Sequence, residues 1–335
     1  MCTRALYQGA GGMVITGRTM DWVEDMHSNA WLFPRGAARD GAAKSDSLRW
    51  TSKYGSIGIS GYESGIADGM NEEGLAANLL YLAESEYGTP KKGRPTISIS
   101  TWAQYALDNF RTVAEAVEVL RAEPFQLVTA VLPNGKRGQL HLSLSDREGD
   151  SAIFQYIGGK LVIYHGKEHV VMTNSPTYDQ QLAIRAYWKN VDPLAFLPGS
   201  INAADRFVRA SFLIDAIPKE MDPKTISAVP GGQYYFQAMA AVLSVMRAVS
   251  VPLGITDPEK PNLSSTLWRT VADHKEKLYC FDSATSPNVF WIPLAELNFS
   301  SGTPVKKLTM AGGKTYAGNV ASQFETAKPL VFLAA

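Results

Sequence analysis

The sequence predicts an α+β fold in which antiparallel sheets dominate and helices lie in separate segments. Short apolar runs recur at close intervals along the chain, and each run is bounded by Gly, Pro, Asn or Asp. Several connections are short enough for hairpins, as at Pro133–Gly135, Asp146–Asp150 and Gly158–Gly159. Segments with helical periodicity intervene in three places. This spacing favours layered antiparallel sheets over a doubly wound α/β arrangement.

The predicted strands are short runs rich in Val, Ile, Leu, Phe and Tyr that end at turn-forming residues. Residues 9–12 begin like a dinucleotide-binding loop, but the last glycine of that motif is absent and a strand follows. We therefore interpret them as a hairpin turn. The predicted strands are Val14–Thr16, Ser56–Ser60, Leu75–Leu82, Gln126–Leu132, Leu140–Leu144, Ala152–Ile157, Leu161–Tyr164, Val170–Met172, Leu267–Ala272, Lys277–Phe281 and Val289–Trp291.

Three segments are predicted to be helical. The first begins at Ser100 or Thr101, which would cap it, and continues to about Arg121. The second spans roughly Ala203–Ile217, and the third spans Tyr234–Val249. The apolar stripe of the first helix consists of Trp102, Tyr105, Phe110, Val113, Val117 and Leu120.

The composition is that of a folded globular protein, with 45% hydrophobic and 19% charged residues. The 32 Lys and Arg residues balance the 32 Asp and Glu residues, so we expect neither nucleic acid nor a membrane surface as a partner. Because no linker divides the chain, we predict a single domain over residues 2–335. No basic and apolar leader precedes Cys2, which predicts a cytoplasmic protein. A periplasmic location is the alternative if Met1 stands in place of a signal sequence.

The two cysteines differ in their surroundings. Cys280 lies in an apolar run typical of a buried strand, whereas Cys2 becomes the first residue once Met1 is removed. A thiol attacks as its thiolate, and a free pKa near 8.5 leaves only about a few per cent ionised at neutral pH. The α-amine of Cys2 itself, with a pKa of about 7.7–8.0, could accept the proton. A hairpin would bring Arg18 and Asp21 to the same end of the strands.

Five segments occur in an order that is typical of one enzyme family: Met1–Thr3, Gly17–Trp22, Asp68–Leu75, Thr173–Asp179 and Asp205–Ala210. They resemble the choloylglycine hydrolases, N-terminal nucleophile hydrolases that include penicillin V acylases and conjugated bile salt hydrolases. The segments spread over about the first two thirds of the chain, and no motif anchors the final third. The resemblance implies a four-layer αββα sandwich that hydrolyses a linear amide of a small molecule without a metal ion or an organic cofactor.

The resemblance also implies catalytic roles for individual residues. Cys2 would be the nucleophile with its own amine as proton acceptor, and Arg18 would be the cation beside the sulfur. Asp21 would orient the amine. The side-chain amide of Asn174 and the backbone N–H of Tyr81 would donate to the oxyanion, and each such donor typically lowers the barrier by about 3 kcal/mol. Arg206 matches by position an arginine of the family that lies near the nucleophile, and it would tune the charge there.

The Tyr at position 81 and the short segment between Asn174 and Arg206 resemble Gram-negative penicillin V acylases, some of which also cleave acyl-homoserine lactones. We expect an aryl or acyl pocket lined by Met20, Trp22 and Tyr87. The resemblance further implies a homo-oligomer, either a dimer or a tetramer. Two alternatives remain for the function, a conjugated bile salt hydrolase and a non-catalytic protein that retains the fold. A metal- or serine-dependent hydrolase is a third, although no Gly-x-Ser-x-Gly motif is present.

Each candidate residue, taken alone, also has a structural explanation. Cys2 could belong to a frayed terminus, and Arg18 and Asp21 could form a surface ion pair. Asn174 precedes Ser-Pro and could be a turn residue. Arg206 could be a solvated charge on a helix, and the aromatic residues could be ordinary core.

Overall fold

Two largely antiparallel sheets lie face to face, and helices cover the outer side of each sheet, so the chain forms a four-layer αββα sandwich. This arrangement confirms the predicted α+β class. The computed structural model describes residues 2–255, 257, 259 and 263–335. Within that part of the chain, no helix is both long and apolar enough to cross a membrane.

The bounds of the elements are as follows. The strands are β1 (Cys2–Gly9), β2 (Met13–Trp22), β3 (Ala30–Phe33), β4 (Ala38–Asp40), β5 (Arg49–Thr51), β6 (Ser56–Gly61), β7 (Gly65–Asn71), β8 (Ala76–Tyr81), β9 (Thr96–Ser98), β10 (Gln126–Val128), β11 (Leu140–Ser145), β12 (Ser151–Ile157), β13 (Lys160–His165), β14 (Val171–Met172), β15 (Ser265–Asp273), β16 (Leu278–Ser283), β17 (Val289–Pro293), β18 (Lys306–Leu308), β19 (Gly318–Asn319) and β20 (Glu325–Thr326). The helices are α1 (Trp102–Asn109), α2 (Val113–Arg121), α3 (Tyr178–Trp188), α4 (Ala203–Ala216) and α5 (Tyr234–Ala248).

The strand order brings distant parts of the chain together. The first sheet has the order β14-β1-β2-β15-β16-β17-β19, and the second has the order β13-β12-β11-β8-β7-β6-β3-β18-β20. Strand β2 pairs with β15 antiparallel, so residues 13–22 lie beside residues 265–273. The N-terminal hairpin of β1 and β2 is therefore closed on one side by a strand from the last third of the chain.

The two outer layers pack on different sheets. Helices α4 and α5 cover the first sheet, and α1 and α2 cover the second. The approach of α5 is close at Gly17 on β2, where an added Cβ would lie 2.7 Å from Met246 and 2.8 Å from Val242. A side chain at this position would push the helix away from the hairpin that carries Cys2, which explains the glycine.

Every predicted strand overlaps an observed one, although the strand predicted at Gln126–Leu132 ends at Val128. Residues 10–12 form a tight turn between β1 and β2, as predicted, and Gly11 and Gly12 have φ of 65° and 72° there. Such positive φ values are easy for glycine and costly for other residues. The predicted second and third helices correspond to α4 and α5.

The prediction of one continuous helix from Ser100 or Thr101 to Arg121 is wrong. The chain forms α1 and α2 instead, and Phe110 between them is extended, with φ −119° and ψ 142°. The hydroxyl of Thr112 accepts a hydrogen bond from the N–H of Glu115 at 3.2 Å, which caps the start of the second helix. Helix α3 was not predicted.

Candidate active site

Cys2 is the first residue of β1, and only 2% of it is exposed. The hairpin places Cys2 opposite Met20 and Arg4 opposite Arg18. Because opposite residues share a face of the sheet, the side chains of Cys2, Met20 and Arg18 all project between the two sheets. Asp21 follows Met20 and projects to the other face, toward the helices. A buried strand position rules out the explanation of Cys2 as part of a frayed terminus.

The Arg18 guanidinium lies beside the Cys2 sulfur, the position at which the family resemblance implies a cation. Its Nη2 is 3.8 Å from Cys2 Sγ and donates a hydrogen bond to the backbone oxygen of Leu79 at 3.0 Å. The guanidinium carbon lies 4.5 Å from the ring centre of Trp268, a cation–π arrangement. On the far side, Nη1 lies 4.0 Å from Asp68 Oδ2.

Arg206 of α4 reaches Cys2 from the helix side of the first sheet. Its Nη1 donates to the backbone oxygen of Cys2 at 2.9 Å and to the hydroxyl of Thr3, and it lies 3.2 Å from Asp21 Oδ2. Its Nη2 donates to Asn174 Oδ1 at 3.1 Å. Burial lowers the pKa of the Arg206 guanidinium, and the charge of Asp21 opposes that shift. Arg206 is fully buried, so it is not a solvated charge.

Each arginine beside Cys2 has its own carboxylate. Arg18 faces Asp68 between the sheets, whereas Arg206 faces Asp21 on the helix side. Arg18 and Asp21 are three residues apart on one strand, so their side chains project to opposite faces. Both are buried, with 0% exposed. The explanation of Arg18 and Asp21 as a surface ion pair is therefore wrong.

Strand β15 contributes one side chain to each face. A bulge between Thr266 and Trp268 shifts its register against β2. The hydroxyl of Thr266 donates to Asp21 Oδ1 at 2.7 Å on the helix side, and the Trp268 ring lies against Arg18 on the other side. Neither residue was predicted to belong to the site, because no local pattern near position 266 indicates that it lies beside position 21.

Asn174 lies two residues after β14 and links Cys2 to Tyr81. Its Oδ1 accepts a hydrogen bond from the backbone nitrogen of Cys2, and its Nδ2 donates to the backbone oxygen of Tyr81 at 2.6 Å. A primary amide has a second N–H, which is the group available to an oxyanion. Gln181 of α3 donates to the backbone oxygen of Asn174 and holds this segment in place. Asn174 is thus more than a turn residue.

The backbone of Tyr81, at the end of β8, faces the same site. The next residue, Leu82, donates its N–H to the backbone oxygen of Gln139 at 2.9 Å. In an antiparallel pair, successive residues of a strand direct their N–H and C=O groups to opposite edges of that strand, so those of Tyr81 point away from Gln139. The carbonyls of Leu79 and Tyr81 on that edge accept hydrogen bonds from side chains of the site. The N–H of Tyr81 therefore lies on the edge that faces Cys2.

The arrangement can generate a nucleophile when the nitrogen of Cys2 is an amine. Met1 lies outside the described residues, and while it is attached that nitrogen is a peptide N–H. Removal of Met1 would leave a basic amine and a thiol on Cys2, next to Asn174 and close to the positive charge of Arg18. Such an amine can accept the thiol proton, and the resulting thiolate can attack a carbonyl carbon.

A narrow pocket of about 80 Å³ opens from Cys2. Met20 and Trp22 line it, as predicted, and the rings of Trp22 and Tyr81 lie 6.1 Å apart at its side. Most of the lining is apolar, which suits an aryl or acyl group. Further lining residues, which sequence analysis did not identify, include Met26, Ile66, Leu79, Ile99, Leu132, Leu140 and Leu333.

Tyr87 lies elsewhere, so its prediction as a pocket residue is corrected. Its ring packs in the core beneath the second sheet, 5.7 Å from the ring of Tyr156. Its hydroxyl donates to the backbone oxygen of Leu140 at 2.8 Å and accepts from the N–H of the same residue at 2.7 Å. These bonds tie the loop after β8 to β11 and turn the side chain away from the Cys2 pocket.

A hydrogen-bond network joins three loops at the pocket. The indole N–H of Trp22 donates to the hydroxyl of Tyr62, which donates to Glu24 Oε1, each at 2.5 Å. Asn134 Nδ2 donates to the same hydroxyl at 3.2 Å. The network holds Trp22 in one orientation at the side of the pocket, and its members come from segments that are far apart in the sequence.

Replacing Arg18 with Ala is expected to raise the pH midpoint of Cys2 alkylation by about 1–2 units, because the thiolate loses its nearby cation. Alkylation rates over a wide pH range, with mass mapping of the labelled peptide, measure this midpoint. Burial raises the pKa of the Cys280 thiol to about 12, so labelling at Cys280 should stay slow throughout.

Asp21→Asn is the comparison variant for this experiment. It should impair hydrolysis through a misplaced amine, with less effect on alkylation at high pH. Identical alkylation profiles for the wild type and Arg18→Ala would contradict the placement of Arg18 beside the sulfur.

A family model and individual relatives match most of this chain. A family model described as linear amide C–N hydrolases, choloylglycine hydrolase family, matches residues 2–307. The penicillin V acylase of Pectobacterium atrosepticum is 47% identical over 99% of this chain and 92% of its own length. The solved structure of penicillin V acylase from Agrobacterium tumefaciens is 51% identical, covers 100% of both chains and superposes with a TM-score of 0.90.

Bile salt enzymes are more distant. The bile salt hydrolase/transferase of Clostridium perfringens is 28% identical over 65% of this chain and 73% of its own length. The structure of the C2A mutant of conjugated bile acid hydrolase from the same organism is 20% identical, covers 95% of this chain and 98% of its own and has a TM-score of 0.77. At that identity the likeness concerns the fold alone.

Proposed function

Because the chain belongs to the choloylglycine hydrolase family of linear amide C–N hydrolases, we propose that it is a penicillin V acylase with Cys2 as its nucleophile. The observation that carries the proposal is the likeness of 47% and 51% identity, over nearly the whole chain, to two penicillin V acylases. The contacts of Cys2 with Arg18, Arg206 and Asn174 support it, because they surround a thiol with the groups that amide hydrolysis requires.

The first half of the reaction is acyl transfer to sulfur. The α-amine of Cys2 takes the proton of Sγ, and the thiolate attacks the carbonyl carbon of the side-chain amide. The oxyanion that forms is stabilised by the backbone N–H of Tyr81 and by the second side-chain N–H of Asn174. The ammonium of Cys2 then gives its proton to the leaving nitrogen. The C–N bond breaks, an amine leaves and a thioester remains on Sγ.

The second half returns the enzyme to its starting state. The free α-amine of Cys2 takes a proton from water, and the hydroxide attacks the thioester carbonyl. The same two donors, Tyr81 and Asn174, stabilise the second oxyanion. The C–S bond breaks, the carboxylic acid leaves and Sγ regains its proton from the ammonium. Arg18, 3.8 Å from Sγ, stabilises the sulfur anion both when it attacks and when it leaves.

The pocket supports a substrate with a flat ring or a thin chain in its acyl part. It is narrow and largely apolar, and Trp22 is held at its side by the bond to Tyr62. A wider cavity of about 570 Å³ also borders Trp22 and includes Lys314, Ser265 and Asn288 in its lining. We place the acyl part of the substrate in the narrow pocket and the more polar amine part toward the wider cavity.

Penicillin V is expected to be cleaved with a higher kcat/KM than glycocholate or taurocholate. A phenoxy ring fits the narrow pocket beside Trp22. A rigid steroid would have to displace the indole ring of Trp22 and break its hydrogen bond to Tyr62. One well-fitted group in an apolar pocket is worth about 1–3 kcal/mol, so the preference should be graded. Initial rates with penicillin V, penicillin G, both bile salts and long-chain acyl-homoserine lactones measure it.

Acyl-homoserine lactones are the second candidate substrates, because a flexible acyl chain can enter a narrow apolar pocket without moving Trp22. Conjugated bile salt hydrolysis is the alternative that the panel tests directly. A higher kcat/KM for glycocholate than for penicillin V would overturn the substrate assignment and leave the nucleophile untouched. Absence of hydrolysis of all of them, with unreactive Cys2, would favour a non-catalytic protein.

The expectation of a homo-oligomer, dimer or tetramer, stays a prediction. Large apolar side chains are exposed near the end of α3 and in the segment after it, which supports an interface there. Tyr187 is 67% exposed, Leu194 is 88% exposed and Phe196 is 58% exposed.

A further inference from the structure

Asp68 is a fully buried carboxylate that the reaction above does not use. It lies on β7 in the second sheet and reaches across to groups of the first sheet. Thr270 and Tyr279 donate their hydroxyls to Oδ1, the former at 3.3 Å, and Asn78 donates its amide to Oδ2 at 2.7 Å. Arg18 Nη1 lies 4.0 Å from Oδ2 and has no hydrogen-bond partner among the described residues.

The surroundings of Asp68 are arranged for a negative charge. Burial raises the pKa of its carboxyl above the usual value, and the charge of Arg18 and the three hydrogen bonds oppose that rise. Hydroxyl and amide hydrogens point at both oxygens, and a carboxylate can only accept them. The three donors come from β8 of the second sheet and from β15 and β16 of the first, so both sheets hold this buried carboxylate in place.

We propose that Asp68 is a positioning residue for the hydrolysis, acting through Arg18: it holds the guanidinium beside Cys2 and compensates part of its charge. The inference rests on the proposed function. The site then has two matched pairs, Asp68 with Arg18 and Asp21 with Arg206, on opposite faces of the same sheet.

Partial compensation of the Arg18 charge matters because a thiolate that is stabilised too strongly attacks more slowly. The nucleophilicity of a thiolate falls as the pKa of its thiol falls, with a Brønsted coefficient of about 0.4–0.5. Arg18 without a counterion would make the sulfur anion easier to form but slower to attack. Asp68 keeps the cation close enough to assist ionisation while limiting its field. Besides Arg18 and the α-amine of Cys2 itself, the charged and titratable groups around this sulfur are Arg4 on β1, Asp68, Tyr279, Tyr81, Asp21 and Arg206.

Asp68→Asn tests the inference without any substrate. We expect the pH midpoint of Cys2 alkylation to fall by about one unit, because the nearby negative charge is lost. The rate constant on the high-pH plateau should fall by about threefold, since a thiolate from a more acidic thiol is less nucleophilic. If the substitution only disordered Arg18, the pH midpoint of Cys2 alkylation and the rate constant on the high-pH plateau would not both fall.

The matched control is Asp108→Asn. Asp108 is also a buried carboxylate beside an arginine and neutral donors, and it accepts hydrogen bonds from Arg39 at 3.1 Å, Trp50 at 2.8 Å and Gln104 at 2.7 Å. It lies on α1 and faces the β4–β5 hairpin, outside the Cys2 site, so its replacement should leave the alkylation profile unchanged.

Asp68→Ser serves where Asp68→Asn does not fold, because it avoids placing a new amide against that of Asn78. It should lower the midpoint in the same direction. A midpoint that is unchanged or raised in the folded variant would overturn the inference. Failure of penicillin V cleavage by the wild type would instead overturn the proposed function, and the two failures are read from separate assays.

Discussion

Replacing Cys2 with Ala is expected to abolish amide hydrolysis while the protein stays folded. The polar contacts of the sulfur are long, 3.8 Å to Arg18, 3.9 Å to Met20 Sδ and 4.0 Å to the backbone oxygen of Asp21. Its removal costs little packing, but the reaction loses its nucleophile. Loss of a nucleophile of this kind typically lowers kcat by about 10⁴-fold or more. Release of the free amine from penicillin V measures activity, and thermal unfolding reports the fold.

Cys2→Ser and Cys280→Ala complete this experiment. Serine should retain only a small part of the activity, because an alkoxide is much harder to form than a thiolate. Cys280 is the matched control, since it is the other cysteine and lies on β16, two strands from β2 in the first sheet. Its replacement should leave kcat nearly unchanged. Undiminished turnover by purified Cys2→Ala would remove Cys2 from the mechanism.

A chain that keeps Met1, or any extension before Cys2, is expected to be inactive by a comparable factor. The nitrogen of Cys2 would then be an amide, which has no basic lone pair to accept the thiol proton. It would still donate to Asn174 Oδ1, so the fold and the position of Cys2 should not change. A protein with a cleavable N-terminal tag, assayed before and after cleavage directly in front of Cys2, measures the effect.

The cleaved sample is the control, because it differs from the tagged sample only in the terminal amine. Intact mass must accompany each assay, since a chain that removes its own extension would give activity in both samples. Full activity in a sample whose mass shows an intact extension would contradict the amine as proton acceptor. Recovery of activity on cleavage would agree with it.

Several features of the fold could be predicted from local patterns. The alternation of apolar runs and turns indicated the strands, because each strand must present one or two buried faces. The same reasoning failed at Phe110, whose apolar side chain fits the stripe of one continuous helix. Only the cap at Thr112, a local hydrogen bond to Glu115, shows that a second helix begins there.

The prediction of Tyr87 as a pocket residue was wrong for a related reason. An aromatic residue shortly after a strand that faces the site is a reasonable pocket residue, since it lies close to Tyr81 in the sequence. The chain turns after β8, however, and the hydroxyl of Tyr87 bonds to the backbone of Leu140. The direction of a loop side chain depends on such distant backbone partners.

The order of motifs along the chain was enough to predict the chemistry: the thiol of Cys2 exposed by removal of Met1, the cation of Arg18 and the family to which their pattern belongs. The pairing of each carboxylate with its arginine could not be predicted and follows from the three-dimensional fold. Asp21 pairs with Arg206 from α4, and Asp68 of the second sheet lies against Arg18. The reason is physical, because strand alternation separates neighbours in sequence onto opposite faces, and the partners on each face come from segments whose position depends on sheet order and helix packing.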